Sequence, residues 1–221
     1  MEQGRQHQLR QRLAEIGRNL YLRGYVSGSD GNLSVRLTDK RILITCAGSA
    51  LGELEPEHLV EVNSSADANA AIKSGKAGEL QPSSELAMHL EVYRRRADIQ
   101  ACVHSHAPYA TAYAVAGVEP DQAVLPEVVA FVGPIRLTRY ARAGTADVGK
   151  SLAPHLDTSN AFLLKNHGLL TLGRCITEAH RRHEIVENYL KILTIARGLG
   201  AVDSLPESEL AHLRTLLETK A

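Results

Sequence analysis

Three histidines are spaced to hold a metal ion. "HSHAPYA" at His104 to Ala110 sets His104 and His106 two residues apart, and "NHGLL" at Asn166 to Leu170 supplies His167 further along. On a strand, residues i and i+2 point to the same face. Both imidazoles can therefore reach one ion, at the ~2.0–2.1 Å that zinc takes to imidazole nitrogen. His167 precedes Gly168, where a tight turn can aim a side chain into a cleft. Three protein ligands with a fourth position open is the pattern of a catalytic site. The competing reading is chance, because the chain holds ten histidines.

Two further stretches carry polar groups suited to an anion. "PSSE", Pro82 to Glu85, reads as the head of a helix running to Arg96. First-turn N–H groups and the helix dipole favour an anion there, and Ser83 and Ser84 add hydroxyl donors. The plainer alternative is an N-cap followed by a helpful glutamate. "SGSDGNLSVR", Ser27 to Arg36, brackets small polar residues with Gly28 and Gly31. Its backbone can offer N–H groups to a phosphate, or it can simply turn the chain into a hairpin. It has no Walker-type lysine.

The elements that must position these groups follow from periodicity. Leu9, Leu13, Ile16 and Leu20 recur at helical spacing, which predicts an amphipathic helix over 5–23. "GNLSVRL" and "RILITC" flank a short polar turn and predict a β-hairpin, with "LVEV" (59–62) a third strand. Residues 63–80 are small and polar and read as a surface loop. "IQACVHSH" (99–106) is a β run, and 107–117 is a short helix closed by Gly117. "AVLPEVVAFVG" fits helix or strand, "PIRLTRY" reads as a strand, and 144–156 is a helix capped near Thr145. "AFLLKNHGLLTLG" (161–173) reads as two β runs interrupted at "NHG". Helices over 177–197, closed at Gly198, and over 206–218 complete the chain. No repeat or composition shift divides it, so residues 1–221 form one mixed α/β domain without regular βαβ alternation.

Composition excludes several classes of function. Lys plus Arg and Asp plus Glu balance at 25 each, and no basic cluster points to nucleic acid or a membrane surface. The three cysteines, Cys46, Cys102 and Cys175, form no C-x-x-C pair, which argues for a reducing, cytoplasmic setting. The N-terminal stretch is charged and lacks the apolar run of a signal peptide. No apolar stretch approaches the ~18 residues of a membrane span.

The order of these pieces carries a resemblance. The glycine turn with Asn32, then "ITCAG", "PSSE", "VHSHAPYAT" and "NHGLL" resemble the class II aldolase/adducin family from about residue 8 to about 197. That resemblance implies a single three-layer α/β domain, with a central, largely antiparallel sheet flanked by helices. It implies one Zn2+ on His104, His106 and His167, with Glu85 in the fourth position at rest and then moving off as acid/base. Co2+, Mn2+ or Fe2+ also suit three imidazoles. It implies a homotetramer and a small sugar phosphate held by Gly31, Asn32, Gly48, Ser83 and Ser84. The implied reaction is aldol cleavage of a ketose 1-phosphate to glycerone phosphate and an aldehyde, through a metal-stabilised enediolate. Epimerase, dehydratase and oxo-tetronate-phosphate decarboxylase activities share the resemblance, as do non-catalytic adducin-type interaction modules.

Three positions depart from the pattern. Ala47 stands where a Thr or Ser is expected before the glycine of "ITCAG", and Asp30 stands where a small or hydroxyl residue is expected. Some family aldolases use a tyrosine as general acid, but none falls in 124–133 or after Tyr189, so that role is unassigned; Tyr109 and Tyr113 are candidates by composition alone and read as packing residues. Of the other histidines, His58 reads as a turn residue, and His89, on the Glu85 face, reads as packed or hydrogen-bonded, the alternative being a support behind the metal ligands. His155, His180, His183 and His212 read as solvated, as does the run Arg94 to Arg96. Cys46 and Cys102 read as small apolar strand residues.

Overall fold

A computed structural model of the chain describes residues 2–65, 67–73 and 79–220. Helix α1 (Glu2–Leu22) leads into the hairpin β1 (Asn32–Thr38) and β2 (Arg41–Thr45), then β3 (Leu59–Asn63) and α2 (Ala68–Lys73). Next come α3 (Leu86–Arg95), β4 (Ala101–Ser105), α4 (Pro108–Ala116), α5 (Pro126–Phe131) and β5 (Ile135–Leu137). The chain closes with α6 (Ala146–Leu152), β6 (Ala161–Leu164), β7 (Gly168–Gly173), α7 (Ile176–Leu199) and α8 (Glu207–Lys220).

The seven strands form one sheet in the order β3-β2-β1-β4-β7-β6-β5. Every pair is antiparallel except β5 with β6. Alternation sorts side chains between two faces. Ile42, Ile44, Cys102, Leu170 and Leu172 face α3 and α6 in one core. Leu33, Val35, Leu43, Ala101 and Val103 face α1 in another. Leu163 and Leu169 meet α4, α5 and α7 in a third. Helices thus cover both faces, giving the three layers expected.

The site depends on the middle of this sheet. Strand β4 lies between β1 and β7 and is buried along its whole length. Its register sets His104 opposite Asn32 on β1 and opposite Leu170 on β7. Because Cys102 faces α3, His104 does too.

Several elements differ from the sequence reading, each for a physical reason. Residues 68–73 are helical within the expected loop, because Asp67 Oδ1 accepts the Ala70 N–H at 2.8 Å and Ala71 and Ile72 pack on the core. Residues 66 and 74–78 of that stretch lie outside the described residues. Helix α3 starts at Leu86, not at Ser83, and Glu85 is its N-cap without a side-chain capping bond. Ser83 instead forms a local turn, its Oγ accepting the Glu85 N–H at 3.2 Å. The ambiguous apolar stretch contains α5, opened by Pro126 at the first turn, where a missing N–H costs nothing. Helix α7 continues through Gly198 and ends at Gly200.

Candidate metal centre

Strand β4 carries His104 into the centre of the molecule, fully buried. Its Nδ1 lies 2.9 Å from the Leu169 carbonyl, which can only accept, so Nδ1 carries the proton. That leaves Nε2 facing Glu85, with Oε2 at 3.0 Å. Either a second proton or a metal ion can occupy that nitrogen. His106 sits one residue past the end of β4. His167 sits in the turn between β6 and β7, and its Nε2 lies 3.3 Å from Glu85 Oε1.

The turn at "NHG" works differently from the expectation. Its left-handed residue is Asn166, at φ 56°. Gly168 is needed for closeness instead: a Cβ there would stand 2.5 Å from the Ser105 carbonyl oxygen and 2.8 Å from His106 Cδ2. With that approach allowed, the ring centroids lie 4.7 Å apart for His104 and His167, 5.1 Å for His106 and His167, and 5.3 Å for His104 and His106. The three candidate ligand atoms all lie within 4.8 Å of one another. Glu85 is buried at the head of α3 and aims a carboxylate among them.

The charges fit a centre that takes up a cation. Burial alone would raise the Glu85 carboxyl. The His104 charge and hydrogen bond, then His167 and Asn32, outweigh it and hold the group well below the usual carboxylate range. Burial alone would lower His104, but Glu85 raises it. His167 is pushed down to about 4 by burial and by the His104 charge, and His106 is pushed down for the same two reasons. Two neutral imidazoles, a third that trades a proton for a metal, and an ionised carboxylate make a donor set suited to a divalent first-row ion.

A cleft of about 340 Å³ opens over the cluster, with Glu85, His106 and His167 in its wall. All five expected anion-binding residues line it: Gly31, Asn32, Gly48, Ser83 and Ser84. Their commitments differ. Gly31 has φ 76° and admits the His104 carbonyl oxygen to within 2.9 Å of where a Cβ would stand. Asn32 donates from Nδ2 to Glu85 Oε2 at 3.0 Å, so part of its amide serves the carboxylate. Asp30 also lines the cleft, yet its oxygens point elsewhere. Oδ1 accepts the Ser27 N–H at 2.9 Å and Oδ2 lies 3.5 Å from His106 Nδ1. Its charge answers an imidazole. A larger groove, about 800 Å³, lies beside the start of α7 and shares no residue with this cleft.

Three residues read as solvated are not. His183 is fully buried, with Nε2 2.6 Å from Ser105 Oγ and Nδ1 3.0 Å from Thr171 Oγ1. It braces the residue between His104 and His106. The signal was present in the spacing Ala179, His183, Val186, Leu190, a buried stripe on α7. His180 is buried on the same helix. Arg96 reaches the Leu156 carbonyl as well as Asp98 and Asn160. Sequence reasoning also passed over Glu187, whose two oxygens accept the Tyr109 and Ala110 N–H groups at the start of α4, each at 2.8 Å.

A family model described as "Class II Aldolase and Adducin N-terminal domain" matches residues 11–194. The chain is 34% identical over 190 residues to 3-oxo-tetronate 4-phosphate decarboxylase of Haemophilus influenzae, covering 84% of this chain and 87% of that protein. It is 36% identical over 185 residues to L-fuculose phosphate aldolase of Methanococcus maripaludis, covering 84% and 96%. Among solved structures, YgbL of Escherichia coli, described as "a putative aldolase/epimerase/decarboxylase", matches with a TM-score of 0.82 at 32% identity, covering 95% and 99%. An L-fuculose 1-phosphate aldolase matches with a TM-score of 0.81 at 28% identity, covering 97% of each chain.

Proposed function

The chain belongs to the class II aldolase and adducin family, and from that premise we propose that it is a metal-dependent lyase that breaks a carbon–carbon bond beside a carbonyl in a small phosphorylated sugar or sugar acid. The convergence of His104, His106, His167 and Glu85 carries this reading. A zinc ion held by the three histidines would supply Lewis acidity where oxyanion charge develops. An adducin-type interaction module has no use for such a cluster.

In aldol cleavage of a ketose 1-phosphate, the hydroxyl proton of one carbon passes to solvent water and its C–O becomes an aldehyde. The electrons of the broken bond stay on the ketone fragment. Glu85, ionised at rest, takes up a proton from solvent and delivers it to that carbon, giving glycerone phosphate. The N–H of Gly48 and the hydroxyls of Ser83 and Ser84 serve the substrate phosphate. The homotetramer that the resemblance implies belongs to the same proposal, and light scattering on the purified chain tests it.

Decarboxylation of a 3-oxo-tetronate 4-phosphate is a second reading, favoured by two observations. Relatives carrying that name match at 34% identity over most of the chain. No tyrosine among the described residues lines the cleft, and loss of CO2 needs no group to take a proton from an aldehyde-forming hydroxyl. The same proton delivery by Glu85 completes it. Turnover by the zinc-loaded protein separates the readings: aldehyde from L-fuculose 1-phosphate supports the first, CO2 from 3-oxo-tetronate 4-phosphate the second. Absence of both products at full metal loading contradicts both.

A further inference from the structure

The two oxygens of Glu85 have unequal surroundings. Oε2 accepts from Asn32 Nδ2 at 3.0 Å. Oε1 is buried and accepts no hydrogen bond among the described residues, with His167 Nε2 at 3.3 Å, while His104 Nε2 also stands 3.0 Å from Oε2. Asn32 is itself held: its Oδ1 lies 2.5 Å from His89 Nε2. His89 Nδ1 lies 2.6 Å from Ser34 Oγ, which lies 2.7 Å from the Tyr93 hydroxyl. Asn32, Ser34, His89 and Tyr93 are all more than nine-tenths buried.

Every proton in this chain has a forced direction. A carboxylate can only accept, so Asn32 turns its NH2 to Glu85 and its carbonyl oxygen to His89. His89 Nε2 must then carry the hydrogen. Nδ1 is left as an acceptor, Ser34 donates to it, and the Tyr93 hydroxyl donates to Ser34. His89 on α3 and Ser34 on β1 thereby lock the orientation of an asparagine side chain from two elements at once.

We propose that His89 is a positioning residue that, through Asn32, fixes the Glu85 carboxylate in the orientation that proton transfer to substrate carbon requires. This inference rests on the reading of Glu85 as the proton-transferring group. It also changes the part of Asn32, which serves the carboxylate before any substrate phosphate.

Two measurements test it independently. The first is the His89 tautomer, read by long-range 1H–15N correlation NMR on 15N-histidine-labelled protein, which requires no turnover. The Nε2–H form is expected, and the Nδ1–H form or an imidazolium at pH 7 overturns the chain. The second is proton–deuterium exchange at the carbon of glycerone phosphate in D2O by zinc-loaded protein. A glutamine amide nitrogen can reach the place of Nε2, whereas an asparagine amide ends near Nδ1. H89Q should therefore exchange within about threefold of wild type, and H89N about 10- to 100-fold more slowly at unchanged KM and metal content. Asn32→Asp should fall as H89N does. Equal loss in H89Q and H89N, or a change confined to KM, overturns the assignment. A wild-type protein with the expected tautomer but no exchange overturns the proton-transfer role of Glu85 and leaves the hydrogen-bond chain standing.

Discussion

Replacing Gly168 by alanine is a sharp test of how the centre is assembled. The added methyl would meet the Ser105 carbonyl oxygen at 2.5 Å, His106 Cδ2 at 2.8 Å and His104 Cε1 at 3.2 Å. Ordinary contact begins near 3.4 Å, so the backbone of β4 or β7 must give by about 0.9 Å, and rotating one side chain cannot relieve it. Small-to-large changes of this kind cost about 1–3 kcal/mol. The strain also lands between two of the candidate metal ligands and the third, and a misplacement of ~1 Å in a preorganised site costs about 100-fold. G168A should therefore lose about 1–3 kcal/mol in urea unfolding. Its zinc affinity, measured by chelator competition, should fall about 10- to 100-fold. Unchanged stability and unchanged affinity would refute the claim that close approach of β7 to β4 builds the site.

Two other perturbations have defined outcomes. Burial, then the His104 charge, pushes His183 well below its usual value, and burial pushes His89 down to about 3. Both stay neutral in the fold while the unfolded chain takes up protons below about pH 6.5. Stability is thus present above that value and lost as pH falls, at about 1.4 kcal/mol per pH unit for each histidine. Between pH 6 and pH 5 this pair should contribute about 2–3 kcal/mol of lost stability in urea titrations, beside the share of His167 and His106, and His183→Gln should remove about half of the pair's contribution; a flat profile contradicts the buried neutral pair. Leu170 is fully buried in the α3-facing core, opposite His104; Leu170→Ala should cost about 2–5 kcal/mol of stability, and a loss below about 1 kcal/mol would show that this core relaxes around the cavity.

Much of the centre was legible because its signals are local. Two-residue spacing on a β run places His104 and His106 on one side, and that relation survives whatever the strand pairs with. The break between two β runs at "NHG" likewise locates His167 at a sheet end. Partners from distant elements were not legible. Nothing near Asn32 announces that it lies across from His104, because that register comes from the pairing of β1 with β4, strands almost seventy residues apart. Asp30 read only as a departure from the expected small or hydroxyl residue until His106 stood beside it. His183 was misread because histidine is polar and its helix carries charges, although its spacing matched the buried stripe. The helix at 68–73 was hidden by its polar surroundings, and packing of Ala71 and Ile72 decided it. The start of α3 was set by the Ser83 turn and the Glu85 contacts, which capping preferences do not encode.

Metal content tests the central claim most directly. Elemental analysis of the chain loaded with zinc and freed of excess should give one ion per chain in the wild type. Glu85→Gln should retain it, and His106→Ala should not. A wild-type chain that comes through loading without bound metal, or a His106→Ala variant that still holds one ion per chain, would contradict a centre built from His104, His106 and His167.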